Sequence, residues 1–187
     1  MENVLLDNDF VSRIMRVTCA NPVDVFTNMF NDLQLKPYIH QYIYENEIYE
    51  CYHETLKELI NKDTVRVLKY DDIFELIGFS GELYDGYMKD LYYSFHMEPF
   101  PENKPLRERF AGRSMGEMHS LISASFLGWN LFFSNDRDSK YIVTEHINIG
   151  DNMICVYNIE EVLDMLSSNS GISRSIKRAL KAKDFSQ

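Results

Sequence analysis

The chain has 187 residues, a formal net charge of −10 at pH 7 and 45% hydrophobic residues. That length fits one domain with a sizeable core, and the hydrophobic share excludes a disordered chain. The acidic balance argues against broad nonspecific nucleic-acid binding, which needs clustered Lys and Arg, and no apolar run approaches the ~20 residues that span a bilayer.

Val4-Leu5-Leu6 reads as a short central strand that ends in Asp7-Asn8-Asp9. Asp9 is placed to cap a helix from Phe10 to about Val17. A second helix starts near Pro22, a residue suited to a first turn, with Val25, Met29 and Leu33 on one face. Pro37-Tyr38-Ile39-His40 is a second strand. A long helix is expected from about Tyr42 to Asn61, with Tyr42, Tyr49, Tyr52, Leu56 and Leu59 along one side. Glu45 falls three residues after Tyr42 and four before Tyr49, which puts it on that buried stripe and calls for a partner or an ion. Glu47 points elsewhere on the same helix.

Val65 to Leu68 is a candidate strand, followed by helices around Asp72–Ile77 and Leu83–Tyr93 and a Pro-marked loop near Met97–Leu106. A helix then runs from Met115 to Leu127 and stops at Gly128. Leu131-Phe132-Phe133 is the next strand and leaves through Ser134-Asn135-Asp136-Arg137-Asp138. Met153–Tyr157 forms a last strand and Ile159–Leu166 the helix after it. Strands alternating with helices predict a three-layer α/β/α sandwich with a mostly parallel central sheet. The expected organisation is a domain over residues 1–166 and a basic amphipathic tail helix over 167–187. In that tail Ile172, Ile176 and Leu180 share one side, and Arg174, Lys177, Arg178, Lys181 and Lys183 face one acid, Asp184. The tail suits packing on its own domain, a partner or phosphate. Cys19, Cys51 and Cys155 match no metal pattern and read as reduced core thiols. Met1-Glu2-Asn3 lacks the basic region of a signal peptide, so a cytoplasmic location is expected.

Asp7 and Asp136 follow strands, while Glu45 and Glu117 open helices, so a parallel sheet brings all four toward one edge, where open α/β folds place ligands. Clustered carboxylates need a hard cation, and an oxygen-only set suits Mg2+ or Mn2+. Each acid also has a structural reading, as a cap or a turn residue.

The pattern resembles the PIN-domain ribonucleases, which include toxins of toxin–antitoxin pairs. The resemblance is carried by Val4-Leu5-Leu6-Asp7, Glu45 (with Asn46 or Glu47 as other alignments), Gly116-Glu117 through Ile122 and Ala124, and Leu131 to Asp138. It covers about residues 3–166, and departs at Asp7-Asn8-Asp9 and in the long segment 63–110. It implies a metal-dependent hydrolysis of RNA by Asp7, Glu45, Glu117 and Asp136. The metal would be held by Asp7, Glu117, Asp136 and Asp138, and the substrate contacted by Ser134, Asn135, Arg113 and Arg137. RNA would be the substrate, with an antitoxin or other protein as partner; a homodimer is also open. Two alternatives stand beside it. Asp7-Asn8-Asp9-Phe10-Val11 also resembles the motif of haloacid-dehalogenase-type phosphatases, with Asp7 as nucleophile. The third reading is a catalytically inactive PIN-like module that binds a protein.

Overall fold

The computed structural model describes residues 1–78, 81–102, 104–108, 114–148 and 153–182. Five short strands make one sheet: β1 (Glu2–Leu6), β2 (Leu35–His40), β3 (Arg66–Leu68), β4 (Leu131–Phe133) and β5 (Cys155–Tyr157). Their order is β3-β2-β1-β4-β5 and every pairing is parallel. Leu6 lies level with both Ile39 and Phe133, so β1, β2 and β4 end together.

The period of two in each strand divides the core between the faces. Val4 and Leu6 of β1 and Phe133 of β4 pack with α1 (Asn8–Met15), α2 (Pro22–Leu33), α4 (His53–Asn61), α9 (Ile159–Met165) and α10 (Arg174–Lys181). Leu5 and Phe132 face the other way, toward α5 (Tyr70–Ile77), α6 (Gly81–His96) and α7 (Met115–Leu127). The molecule is therefore an α/β/α sandwich, as the alternation of elements predicts. Two further short helices, α3 (Gln41–Asn46) and α8 (Arg137–Ile142), leave the C-terminal ends of β2 and β4. Among the described residues no helix is long and apolar enough to cross a membrane.

The expected helix from Tyr42 to Asn61 is interrupted. It ends as α3 at Asn46, passes through extended backbone at Tyr49 and a 3-10 turn at Glu50–Tyr52, and restarts as α4. The backbone N–H groups of Glu47 and Ile48 both donate to Ile43, at 2.9 and 3.0 Å, which closes α3 instead of extending it. The first helix starts at Asn8, so Asp7 rather than Asp9 holds the N-cap position. Residues 143–147 continue α8 as a single π turn.

The three cysteines are exposed, which corrects their expected place in the core. Cys19 and Cys51 lie outside the α-helices and strands, and Cys155 is on edge strand β5. The tail helix docks through Ile172 and Leu180, which join the α1 side of the core. It runs to Lys181; residues 183–187 lie outside the described residues.

Candidate active site

The common end of β1 and β4 builds the site. Asp7 leaves β1 with its backbone N–H bonded to the carbonyl of Phe133 at 2.9 Å, which locks the ends of the two strands together. Ser134, the first residue past β4, donates its hydroxyl to Asp7 Oδ2 at 3.1 Å and lies 3.4 Å from Glu117 Oε1. Glu117 reaches this point from the first turn of α7, and Ser139 of α8 also donates to its Oε1. All four side chains are buried.

Three further acids surround this pair. Asp9 accepts from the backbone N–H of Asn135 at 3.2 Å, so the first turn of α1 is tied to the exit of β4. Asp136 caps α8 by accepting from Asp138 at 2.8 Å, and its own N–H donates to Ser134 Oγ at 3.1 Å. Glu47 Oε1 accepts from the backbone nitrogen of Gly116 at 2.9 Å, across the entrance of α7. Gly116 is what permits this approach: a Cβ there would stand 2.7 Å from the Glu47 carboxyl carbon and 2.6 Å from Ile43 Cγ1.

The electrostatics follow from crowding like charges in a poorly solvated pocket. Burial, and after it the neighbouring carboxylates of Glu117, Asp9 and Glu47, hold Asp7 well above the usual carboxylate range. Burial lifts Glu117 to about 7; Asp136 and Asp9 push the same way, while the Ser139 and Ser114 hydroxyls oppose it. Glu47 is raised by burial against the stabilising N–H of Gly116. A divalent cation is the usual means by which such a group of acids becomes fully ionised.

The donor chemistry fits such an ion: carboxylates and hydroxyls only, the set preferred by Mg2+ or Mn2+. Among the described residues, no three His, Cys, Asp or Glu side chains are gathered closely enough to hold a metal ion in this arrangement. The serine hydroxyls, bonded to Asp7 and Glu117, stand between the acids instead.

Of the residues singled out in the sequence, Asp7, Glu117, Ser134, Asn135 and Asp136 meet here. Glu45 does not, and its expected burial is corrected. It is exposed and accepts from Gln41 Nε2 at 2.9 Å: α3 buries Tyr42 and Ile43, and the Tyr49 end of the expected stripe lies past the break after Asn46. Glu47, just past that break, reaches the pocket in its stead. Asp9 serves the site rather than acting as the expected helix cap. Asp138 and Arg137 are exposed in the first turn of α8. Arg113 lies outside the described residues. Asn135 Oδ1 accepts from Ile159 at 2.9 Å, while its Nδ2 is a buried donor without a partner. Ser139 was not foreseen; nothing local separates it from any other serine early in a helix.

A second buried polar group lies on the α7 side of the sheet. His119 Nδ1 is 2.7 Å from Tyr84 Oη and its Nε2 is 2.8 Å from the Leu106 carbonyl. Its ring stacks on His40 and Tyr42. Burial lowers its pKa to about 3, so the imidazole is neutral and joins the Pro-rich loop to α7.

Comparison with family models, with curated proteins and with solved structures found no match to this chain.

Proposed function

We propose that the pocket is the active site of a metal-dependent ribonuclease of PIN type. The observation that carries the reading is the convergence of Asp7, Glu47, Glu117 and Asp136 on one end of a parallel sheet, with two of them buried side by side and raised in pKa. Asp7, Glu117 and Asp136, with Asp138 at the rim, would hold Mg2+ or Mn2+ by drawing closer together than they stand in the described residues. When bound, the ion would supply Lewis-acid polarisation of a phosphodiester and lower the pKa of a bound water.

This chain's own groups have separable tasks. Glu117 and Asp7 keep a proton between them until a cation enters, because two neighbouring buried carboxylates cannot both ionise cheaply. Ser134 and Ser139 orient those carboxylates through their hydroxyls. The exposed Arg137, which makes no ion pair among the described residues, would contact phosphate, and Asn135 fixes the exit of β4 by accepting from Ile159. Glu47 fixes the entrance of α7 through Gly116 and so positions Glu117.

The deciding experiment is cleavage of single-stranded RNA by the full chain with Mn2+, Mg2+ or chelator, compared with Asp7→Asn and Asp136→Asn. Metal-dependent cleavage lost in both variants supports the reading. RNA left intact by well-folded protein, with no Mn2+ effect on its melting temperature, supports the inactive binding module. A phospho-aspartate trapped at Asp7 would establish the phosphatase chemistry instead.

A further inference from the structure

We propose that the outward stripe of α1, together with the turn after Glu47 and the basic face of α10, is a track for single-stranded RNA leading away from the acidic site. The choice of RNA rests on the ribonuclease reading; the track itself rests on the following contacts.

Helix α1 buries Phe10, Val11, Ser12, Ile14 and Met15, which leaves Asp9, Arg13 and Arg16 at i, i+4 and i+7 on the outer side. Asp9 belongs to the carboxylate pocket. Arg16, roughly 10 Å further along at ~1.5 Å per residue, ends the stripe with a guanidinium. One helix face thus runs from the acids to two cations. Arg16 Nε lies 3.4 Å from Tyr52 Oη, and its guanidinium carbon sits 5.9 Å from the centre of the Tyr49 ring. Tyr49 is 54% exposed, meets Tyr52 edge to face, and follows Glu47 by two residues. An exposed ring beside a guanidinium, two residues from a pocket acid, is a surface on which a nucleobase can stack.

At Arg13 the stripe meets the tail. Arg13 Nη1 donates to the carbonyl of Leu180 at 3.4 Å, near the end of α10. That helix anchors itself through Leu180 and turns Arg174 and Arg178 outward, one turn apart. Lys181 is shared with Asp164 at 3.4 Å, and Lys177 reaches the Leu163 carbonyl. In a chain of net charge −10, five of the 19 basic residues fall after Ser170 against a single acid, Asp184. Arg174 and Arg178, both exposed, give an acidic protein a basic surface that complements a polyanion. The adjoining aromatic pair favours nucleic acid over an acidic peptide, which has no base to stack.

The test is fluorescence anisotropy of a labelled single-stranded RNA of about a dozen nucleotides, with the full chain in chelator so that nothing is cut. Salt is varied between about 50 and 200 mM. Tyr49→Ala should weaken binding by about fivefold or more with an unchanged salt slope, because stacking is lost and no phosphate contact is. Arg174→Glu with Arg178→Glu should weaken binding and flatten the slope by about one to two. Lys62→Glu, a cation just past the end of α4 and already paired with Glu58, should change neither. Matched melting temperatures keep misfolding apart from loss of contact. The track is refuted if wild type does not bind, if these variants bind like wild type, or if polyglutamate of equal charge competes as well as unlabelled RNA. Cleavage by wild type in Mn2+ is scored separately. Intact cleavage with unaltered variant binding removes the track alone, and absent cleavage with track-dependent binding removes the ribonuclease reading alone.

Discussion

Glu47 accepts a hydrogen bond from the backbone nitrogen of Gly116 at 2.9 Å, joining two segments 69 residues apart in the chain. The bond couples the end of α3 to the start of α7, and so fixes how Glu117 enters the pocket. The free N–H at a helix entrance also accounts for the carboxylate there, since the helix dipole favours negative charge at that end.

Gly116→Ala is expected to destabilise the protein by about 1–3 kcal/mol, the usual range for forcing an extra methyl into a packed site. The new Cβ would press on Ile43 and the Glu47 carboxyl carbon. Urea unfolding measures the loss, and any Mn2+-induced rise in melting temperature should shrink with it. Wild-type stability would show that α7 shifts freely, against the coupling described above.

Glu45→Gln and Glu47→Gln separate two neighbouring acids that the sequence alone leaves ambiguous. The first alters an exposed side chain bonded to Gln41 and should stay within about 0.5 kcal/mol of wild type, with cleavage unchanged. The second weakens the bond to Gly116 and should lower RNA cleavage. The reverse outcome would assign the site to Glu45 and not to Glu47.

The pH dependence of stability follows from Glu117. Its folded-state value of about 7 exceeds the ordinary glutamate value of 4.5, so between those limits the native state holds more protons than the unfolded state. Metal-free protein therefore loses stability as pH rises through this window, Glu117 contributing roughly 3 kcal/mol at ~1.4 kcal/mol per tenfold change in proton affinity. Denaturant unfolding at roughly pH 5 and roughly pH 8 should show a smaller decline in Glu117→Gln than in wild type. An equal decline in both proteins would count against a proton held at Glu117.

Divalent cation should reverse that loss. Mn2+ is expected to raise the melting temperature of wild type, by mass action on the folded state, and more at high pH than at low. Asp7→Asn should abolish the rise. A rise that survives this substitution would locate the ion elsewhere.

Tyr84→Phe probes the other buried cluster. It removes the 2.7 Å hydroxyl contact to His119 Nδ1 and leaves a buried imidazole nitrogen without that partner. A loss of about 1–3 kcal/mol is expected, with cleavage and metal response intact. Impaired cleavage at unchanged stability would give His119 a part in the chemistry.

The outline of this molecule was legible locally. Val4-Leu5-Leu6 and Leu131-Phe132-Phe133 are buried parallel strands, Gly128 ends α7 in the left-handed conformation, and Asp7 and Asp136 leave neighbouring strand ends. These depend on side-chain periodicity and on glycine's freedom at positive φ, both written in a few adjacent residues. The choice between Glu45 and Glu47 was not. The stop of α3 is closed locally by Glu47 and Ile48 on the Ile43 carbonyl, but the turn of the Glu47 side chain toward the pocket depends on a bond to Gly116 that no window around residue 47 contains. Ser139 and Asp9 entered the site for the same reason, through contacts with Glu117 and Asn135 from distant segments. Sequence alone thus determined the sandwich and the sheet edge at which acids gather, because hydrophobic pattern is local. Only the tertiary structure decided which acids face one another, because a carboxylate's direction is set by the donors that the folded chain brings to it.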